Sequence, residues 1–198
     1  MLGLRTLVVI GLMATAGAAT AAPGLAIFGD STGKGDGAQI RWHEQIEALL
    51  GDGREITNQS RSRSSLTDIR EQVEDAGDLE GSTVIIYDRR NAGESVDDYM
   101  SNLEAIIDHA ESAEVLILPQ VPVSGNREDG LTLPILLEIN RRLVEDLPEH
   151  TFDLATQQAF LSALAGDETR SDRIHRNEQG QKLEAEFIAR WLAEHERH

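Results

Sequence analysis

Two short polar stretches, one near each end of the chain, carry the residue types that nucleophilic catalysis needs. Ser31 lies in "FGDST", directly after an apolar run, and Asp172 and His175 lie three residues apart in "SDRIHRNEQG". A histidine can take the proton of a serine hydroxyl. A carboxylate bonded to its other ring nitrogen fixes the tautomer and stabilises the imidazolium that forms. Together the two stretches predict a serine nucleophile with a histidine base and an aspartate partner.

The glycines in "LAIFGDSTGKGDG" could alternatively form a phosphate-binding loop. A P-loop needs four residues between its first glycine and the following Gly-Lys-Ser/Thr. Here only three residues separate Gly29 from Gly33, and Gly35 stands where the magnesium-binding hydroxyl should be. We therefore expect no cofactor and no metal. Ser31 could also act only as the cap of a following helix, since serine is favoured at that position, and this alternative stays open.

The composition excludes some classes of partner and of architecture. The 198-residue chain has 35 acidic residues against 18 lysines and arginines, which gives a formal net charge of −17. Such a chain would repel the phosphates of nucleic acid, so we expect no nucleic-acid partner. The sequence contains no cysteine, which excludes a disulfide framework and a lipid-anchored N-terminal cysteine.

The first 21 residues have the features of a secretory signal peptide. Arg5 precedes the apolar run "LVVIGLMATAGAA", and small residues occupy positions 19–21. This pattern is typical of a signal that is cleaved after export, and the run is too short and too rich in alanine and glycine to span a membrane well. We therefore predict a signal peptide at 1–21, a single domain at 22–198, a periplasmic or extracellular location and no stable membrane anchor.

Short apolar runs alternate with longer amphipathic segments through the rest of the chain. This alternation indicates an α/β fold, a three-layer α/β/α sandwich with a five-stranded parallel flavodoxin-like sheet. In such a sheet ligands bind beyond the carboxyl ends of the strands, and Ser31 would lie there. The predicted strands are residues 25–28, 54–57, 83–87, 115–118 and 151–154, and the predicted helices are residues 39–50, 66–75, 96–111, 133–146, 157–164 and 178–194.

The outer stretches resemble the first and last sequence blocks of the GDSL/SGNH hydrolases. "FGDST" looks like the first block, with a Gly-Asp-Ser-Thr variant similar to that of rhamnogalacturonan acetylesterase-like members, and "DRIHRNEQG" looks like the last block. The resemblance implies a serine esterase that acts on an acyl ester through an acyl-enzyme. It assigns the catalytic roles to Ser31, Asp172 and His175.

The middle blocks of the resemblance are altered. "TNQSRSRSS" has Arg63 where the family has glycine, and "VIIYDRRNAG" keeps Asn91 while Arg89 and Ala92 stand where the family has glycine and aspartate. The family pattern implies an oxyanion hole made by the backbone N–H groups of Ser31 and Arg63 and by the side-chain amide of Asn91. A backbone donor does not depend on the side chain that it carries.

Basic residues gather in the loops expected to surround the site. A positive pocket on an acidic chain would draw in anions, and arginine binds carboxylate or phosphate through two parallel hydrogen bonds. We therefore predict a small-molecule or polysaccharide ester that carries negative charge. The alternative is that these residues pair with nearby acidic side chains. The predicted substrate-binding residues are Arg61, Arg89, Arg90, Arg173 and Arg176, and Lys34 and Arg63 belong to the same group of cations.

Two other functions are compatible with the same residues. The altered middle blocks would suit a carbohydrate-binding relative with little or no catalysis. The same three catalytic residues would also serve an acyltransferase that passes the acyl group to an alcohol and not to water. A relative without catalysis would not react with a fluorophosphonate probe. An acyltransferase would react with the probe but would prefer an alcohol to water as the acyl acceptor.

Overall fold

The computed structural model of the chain describes residues 22–89, 95–122 and 133–195. The predicted signal peptide at residues 1–21 lies outside these ranges, and so do Arg90 and Asn91. Within them, no helix combines the length and the apolar character that crossing a membrane would require.

Four parallel strands form the sheet that the described residues contain. Their spatial order is β2-β1-β3-β4, which matches the first four positions of a flavodoxin-like sheet. All three pairings are parallel, so the four carboxyl ends lie at one edge. The strands are β1 (Gly24–Gly29), β2 (Ile56–Asn58), β3 (Ser82–Tyr87) and β4 (Glu114–Ile117).

Helices cover both faces of the sheet because successive side chains of each strand point to opposite sides. On one face Ala26 and Phe28 pack with apolar side chains of α2, α3 and α4. On the other face Leu25 and Ile27 pack with side chains of α1, α5 and α6. The three-layer α/β/α prediction is confirmed. The helices are α1 (Trp42–Leu50), α2 (Leu66–Asp75), α3 (Val96–His109), α4 (Leu133–Asp146), α5 (Leu154–Ala163) and α6 (Glu178–His195).

The fifth strand predicted at residues 151–154 is not a strand. The hydroxyl of Thr151 donates to the carbonyl oxygen of Ile117 over 3.0 Å, so this segment does run beside β4. However, the Asp153 side chain caps α5, which begins at the very next residue. A helix that starts so soon leaves no length of extended backbone to form a ladder with β4. The prediction of a five-stranded sheet is therefore wrong for this segment.

The carboxyl end of β1 comes unusually close to β3. A Cβ atom placed on Gly29 would lie 2.2 Å from the carbonyl oxygen of Tyr87, which is far inside contact distance. At the other end of the same strand, a Cβ on Gly24 would lie 3.5 Å from the Ser82 hydroxyl, which is ordinary van der Waals contact. Only the end of β1 that leads into Ser31 therefore requires glycine.

We expect Gly29→Ala to lower the free energy of unfolding by about 3 kcal/mol, because the new methyl group forces β1 and β3 apart. Gly24→Ala is the matched control on the same strand, and it should leave stability close to that of the unaltered protein. Urea denaturation followed by circular dichroism measures both. Equal stability of the two variants would contradict the close approach of the strands.

Candidate active site

Ser31 lies just beyond the carboxyl end of β1, in a run of tight turns. The Lys34 N–H donates to the carbonyl oxygen of Asp30 over 3.0 Å, and the Asp36 N–H donates to that of Ser31 over 2.9 Å. Helix α1 begins only at Trp42. The turns occupy the residues in between, which explains why α1 starts three residues later than predicted. Ser31 is therefore not the cap of the helix that follows it.

The structure brings Ser31, His175 and Asp172 into one hydrogen-bonded row. The Nε2 atom of His175 lies 3.1 Å from the Ser31 hydroxyl oxygen, across 144 positions of sequence. The Nδ1 atom of the same ring lies 2.7 Å from the Asp172 carboxylate. A neutral imidazole with its proton on Nδ1 satisfies both contacts, because Nε2 is then free to accept the serine proton. Among the residues that the structure describes, no group of three or more His, Asp or Glu side chains could hold a metal ion.

Asp172 is held by the loop that it shares with His175. Its Oδ1 atom accepts hydrogen bonds from the backbone N–H groups of Ile174 (2.6 Å) and His175 (2.7 Å). Burial raises the pKa of this carboxyl, but the bonds from the His175 ring and from the two backbone groups outweigh that effect and lower the pKa to about 2. The carboxylate is therefore ionised at neutral pH, where it would stabilise a charged imidazole.

Two of the predicted substrate-binding arginines are buried and cannot contact a substrate at the surface. Arg89 is 2% exposed and Arg176 is fully buried. Both guanidiniums bind one carboxylate oxygen of Glu184 on α6, Arg89 Nη2 at 3.3 Å and Arg176 Nε at 3.2 Å, and the Tyr87 hydroxyl donates to the same oxygen. Burial, followed by the neighbouring Arg89, lowers the pKa of Arg176 to about 10. For Arg89 and Arg176 the substrate-binding prediction is wrong, and pairing with an acidic residue is what the structure shows.

The other basic residues of the predicted group are not buried like Arg89 and Arg176 where the structure describes them. Arg61 and Arg173 are exposed, and the Arg61 N–H donates to the Gly29 carbonyl oxygen over 2.9 Å, which places its loop beside the end of β1. Lys34 forms an ion pair with Asp36 at 3.8 Å. Arg90 lies outside the described residues.

Arg63 occupies the turn that the sequence assigned to the oxyanion hole. Its φ angle is +76°, a left-handed conformation in which glycine is favoured. In the described part of the chain its N–H has no hydrogen-bond partner. The neighbouring Ser62 hydroxyl donates to the Asp36 carboxylate over 2.8 Å and ties this loop to the turn after Ser31. Asn91 lies outside the described residues.

Sequence reasoning missed the polar residues of α6 that support the site. Gln181 and Glu184 are buried on the same face of α6 as Ile188. Their helical spacing in the sequence could have indicated that all three side chains face the core. The Gln181 side chain accepts from the Trp42 backbone N–H over 2.8 Å. The Trp42 indole in turn donates to the carbonyl oxygen of Gly33 over 3.1 Å. These contacts hold the turn behind Ser31.

Solved structures share the fold, although no protein-family model and no curated protein matches the chain. A member of the lipolytic protein G-D-S-L family from Veillonella parvula DSM 2008 is 21% identical, with a TM-score of 0.71 over 85% of this chain and 97% of that chain. The lipase/acylhydrolase from Enterococcus faecalis is 18% identical, with a TM-score of 0.68 over 86% and 95%. The psychrotrophic esterase EstA from Pseudoalteromonas sp., in a structure inhibited by monoethylphosphonate, is 20% identical, with a TM-score of 0.60 over 85% and 98%. The resemblance seen in the sequence is therefore confirmed at the level of the fold.

We expect the charge of Asp172 to stabilise the folded protein above pH 3.8 and to lose this effect as pH falls toward about 2. The folded carboxyl binds its proton less readily than the unfolded one, so protonation favours unfolding through this window. The effect is small because 55% of the side chain is exposed. Urea midpoints of the unaltered protein and of Asp172→Asn should converge as pH falls through the window. A constant difference would contradict the prediction.

Proposed function

We propose that this chain, which has the fold of the G-D-S-L lipolytic proteins, is a serine ester hydrolase of the GDSL/SGNH superfamily. The observation that carries the proposal is the contact between His175 Nε2 and the Ser31 hydroxyl at 3.1 Å, with Asp172 bound to the opposite ring nitrogen at 2.7 Å. Two structural neighbours are named as a lipase/acylhydrolase and an esterase. Their activities support the same reaction class for this chain.

In the proposed reaction His175 takes the proton of Ser31 as the serine oxygen attacks the ester carbonyl carbon. The tetrahedral intermediate then collapses, His175 returns the proton to the departing alcohol, and an acyl-serine remains. Water activated by the same imidazole releases the acid and restores the serine. Asp172 stabilises the imidazolium in both halves of the reaction.

The oxyanion of the intermediate needs donors that are already in place. We assign the backbone N–H groups of Ser31 and Arg63 to this role, together with the side-chain amide of Asn91. Within the described ranges the Arg63 N–H has no hydrogen-bond partner, and this observation and the link between its loop and the Ser31 turn support the assignment. Loss of one such donor typically costs roughly 100-fold or more in rate.

The proposal includes the cellular location of the protein and the class of its substrate. The signal-peptide features of residues 1–21 support export to the periplasm or beyond. A short-chain acyl ester on a small molecule or polysaccharide is the proposed substrate, in keeping with the rhamnogalacturonan acetylesterase-like first block. The contacts of His175 with Ser31 and Asp172 support catalysis over the inactive carbohydrate-binding alternative. Transfer to an alcohol acceptor would use the same residues.

Ser31→Ala and His175→Ala should each reduce hydrolysis of p-nitrophenyl acetate by about 10⁴-fold or more, and the double variant should be no worse, because the residues act as a unit. A fluorophosphonate probe should label the unaltered protein and not Ser31→Ala. Ser101→Ala is the control, an exposed serine on α3, and it should still be labelled. Full activity in Ser31→Ala would end the esterase proposal. A large rate increase with added alcohol would indicate acyl transfer.

Arg63→Gly separates the two roles proposed for Arg63. It keeps the backbone N–H and suits a φ of +76°, so hydrolysis of a neutral ester should stay close to that of the unaltered protein. It removes a positive side chain, so kcat/KM for a matched anionic ester should fall and become less sensitive to salt. Arg190→Ala, on the half of α6 distant from His175, is the control for net charge. Equal losses on both esters would contradict the anionic-substrate hypothesis.

A further inference from the structure

We propose that Arg89 is a positioning residue that sets the orientation of His175 from inside the protein. The inference rests on the esterase mechanism proposed above, but it concerns a residue that touches neither the substrate nor the reacting atoms. Arg89 lies two residues beyond the end of β3, and its side chain is 1% exposed. It joins the sheet to the loop that carries Asp172 and His175.

The key contact is made to one peptide unit. The Nη1 atom of Arg89 donates to the carbonyl oxygen of Ile174 over 2.8 Å. The N–H of that same peptide, which belongs to His175, donates to the Asp172 carboxylate over 2.7 Å. A peptide is planar, so holding its oxygen also fixes the direction of its N–H. Arg89 therefore orients the group that binds Asp172 and the backbone from which the His175 ring projects.

The other end of the guanidinium is anchored. Its Nη2 atom lies 3.3 Å from the Glu184 carboxylate and 3.4 Å from the Tyr87 hydroxyl. Glu184 is fully buried on α6, so this anchor moves only if the helix moves. A guanidinium is planar and can donate to two acceptors in fixed directions, whereas the single ammonium of lysine cannot reproduce that bridge.

The residue after His175 is anchored to the same carboxylate. Arg176 Nε lies 3.2 Å from Glu184, and its Nη1 atom donates to the carbonyl oxygen of Leu164 over 2.7 Å. Arg89 and Arg176 therefore hold the backbone on both sides of His175 through one buried acid. The imidazole is carried by backbone that is fixed before substrate arrives, which is the condition for productive proton transfer.

The test compares Arg89→Lys and Arg89→Gln with the unaltered protein. In both variants Arg176 still pairs with Glu184, so no carboxylate is buried alone. We expect kcat for p-nitrophenyl acetate to fall about 100-fold with little change in KM, because a displaced base slows the chemical step more than binding. We also expect the downfield ¹H NMR signal of the His175 Nδ1 proton, bound to Asp172, to weaken or disappear. Arg89→Gln covers the case in which the lysine variant does not fold.

Arg54→Lys is the matched control. Arg54 is also a buried arginine, 6% exposed and paired with Asp52, but it precedes β2 and so lies at the opposite edge of the sheet. The Arg54→Lys variant should change the stability of the protein without changing kcat or the signal of the His175 Nδ1 proton. Unchanged kcat and signal in a folded Arg89 variant, or equal losses in Arg54→Lys, would overturn the proposal. If the unaltered protein neither hydrolyses esters nor reacts with the fluorophosphonate, the esterase proposal fails, and the ring-proton signal alone decides the role of Arg89.

Discussion

Glu184 is fully buried, and a buried carboxylate needs partners inside the protein. It binds the Tyr87 hydroxyl from β3 and the guanidiniums of Arg89 and Arg176. Burial raises its pKa, while the two arginines act in the opposite direction. Leaving a buried ion without its partner costs about 3–5 kcal/mol, a large part of the 5–15 kcal/mol that typically stabilises a domain. This one group therefore links β3, α6 and the His175 loop.

Helix α6 supports both halves of the proposed site. Gln181 binds the Trp42 backbone, and the Trp42 indole holds the turn that follows Ser31. One helical turn further on, Glu184 holds the arginines that flank His175. Ser31 and His175 come from distant parts of the chain, and contacts to one shared helix help to hold their side chains 3.1 Å apart. Catalysis gains most when such groups are placed before the substrate binds.

Much of the fold could be predicted because its signals are local. An apolar run such as β1 followed by a polar Gly-Asp-Ser motif predicts a strand with reactive groups at its end, and the alternation of strands and helices predicts the parallel sheet. Asp172 and His175 could be paired because three residues of loop suffice to bring them together. The prediction of a fifth strand was wrong for a local reason as well, because the Asp153 side chain caps α5 and this helix begins earlier than the sequence pattern indicated.

The Gly-Asp-Ser motif, the Asp172–His175 pair and the layered α/β architecture could be predicted from the sequence alone, because hydrogen-bonding capacity and hydrophobic periodicity are encoded within short windows of residues. Which arginines face solvent and which are buried follows from the tertiary packing and could not be predicted from the sequence. Arg89 and Arg176 look like loop cations in the sequence. Their partner Glu184 is 95 positions from Arg89, and the periodicity that indicates a buried face of α6 does not indicate which distant residues that face contacts. Burial is the sum of contacts from many distant segments, and it made these two charges internal supports of the site.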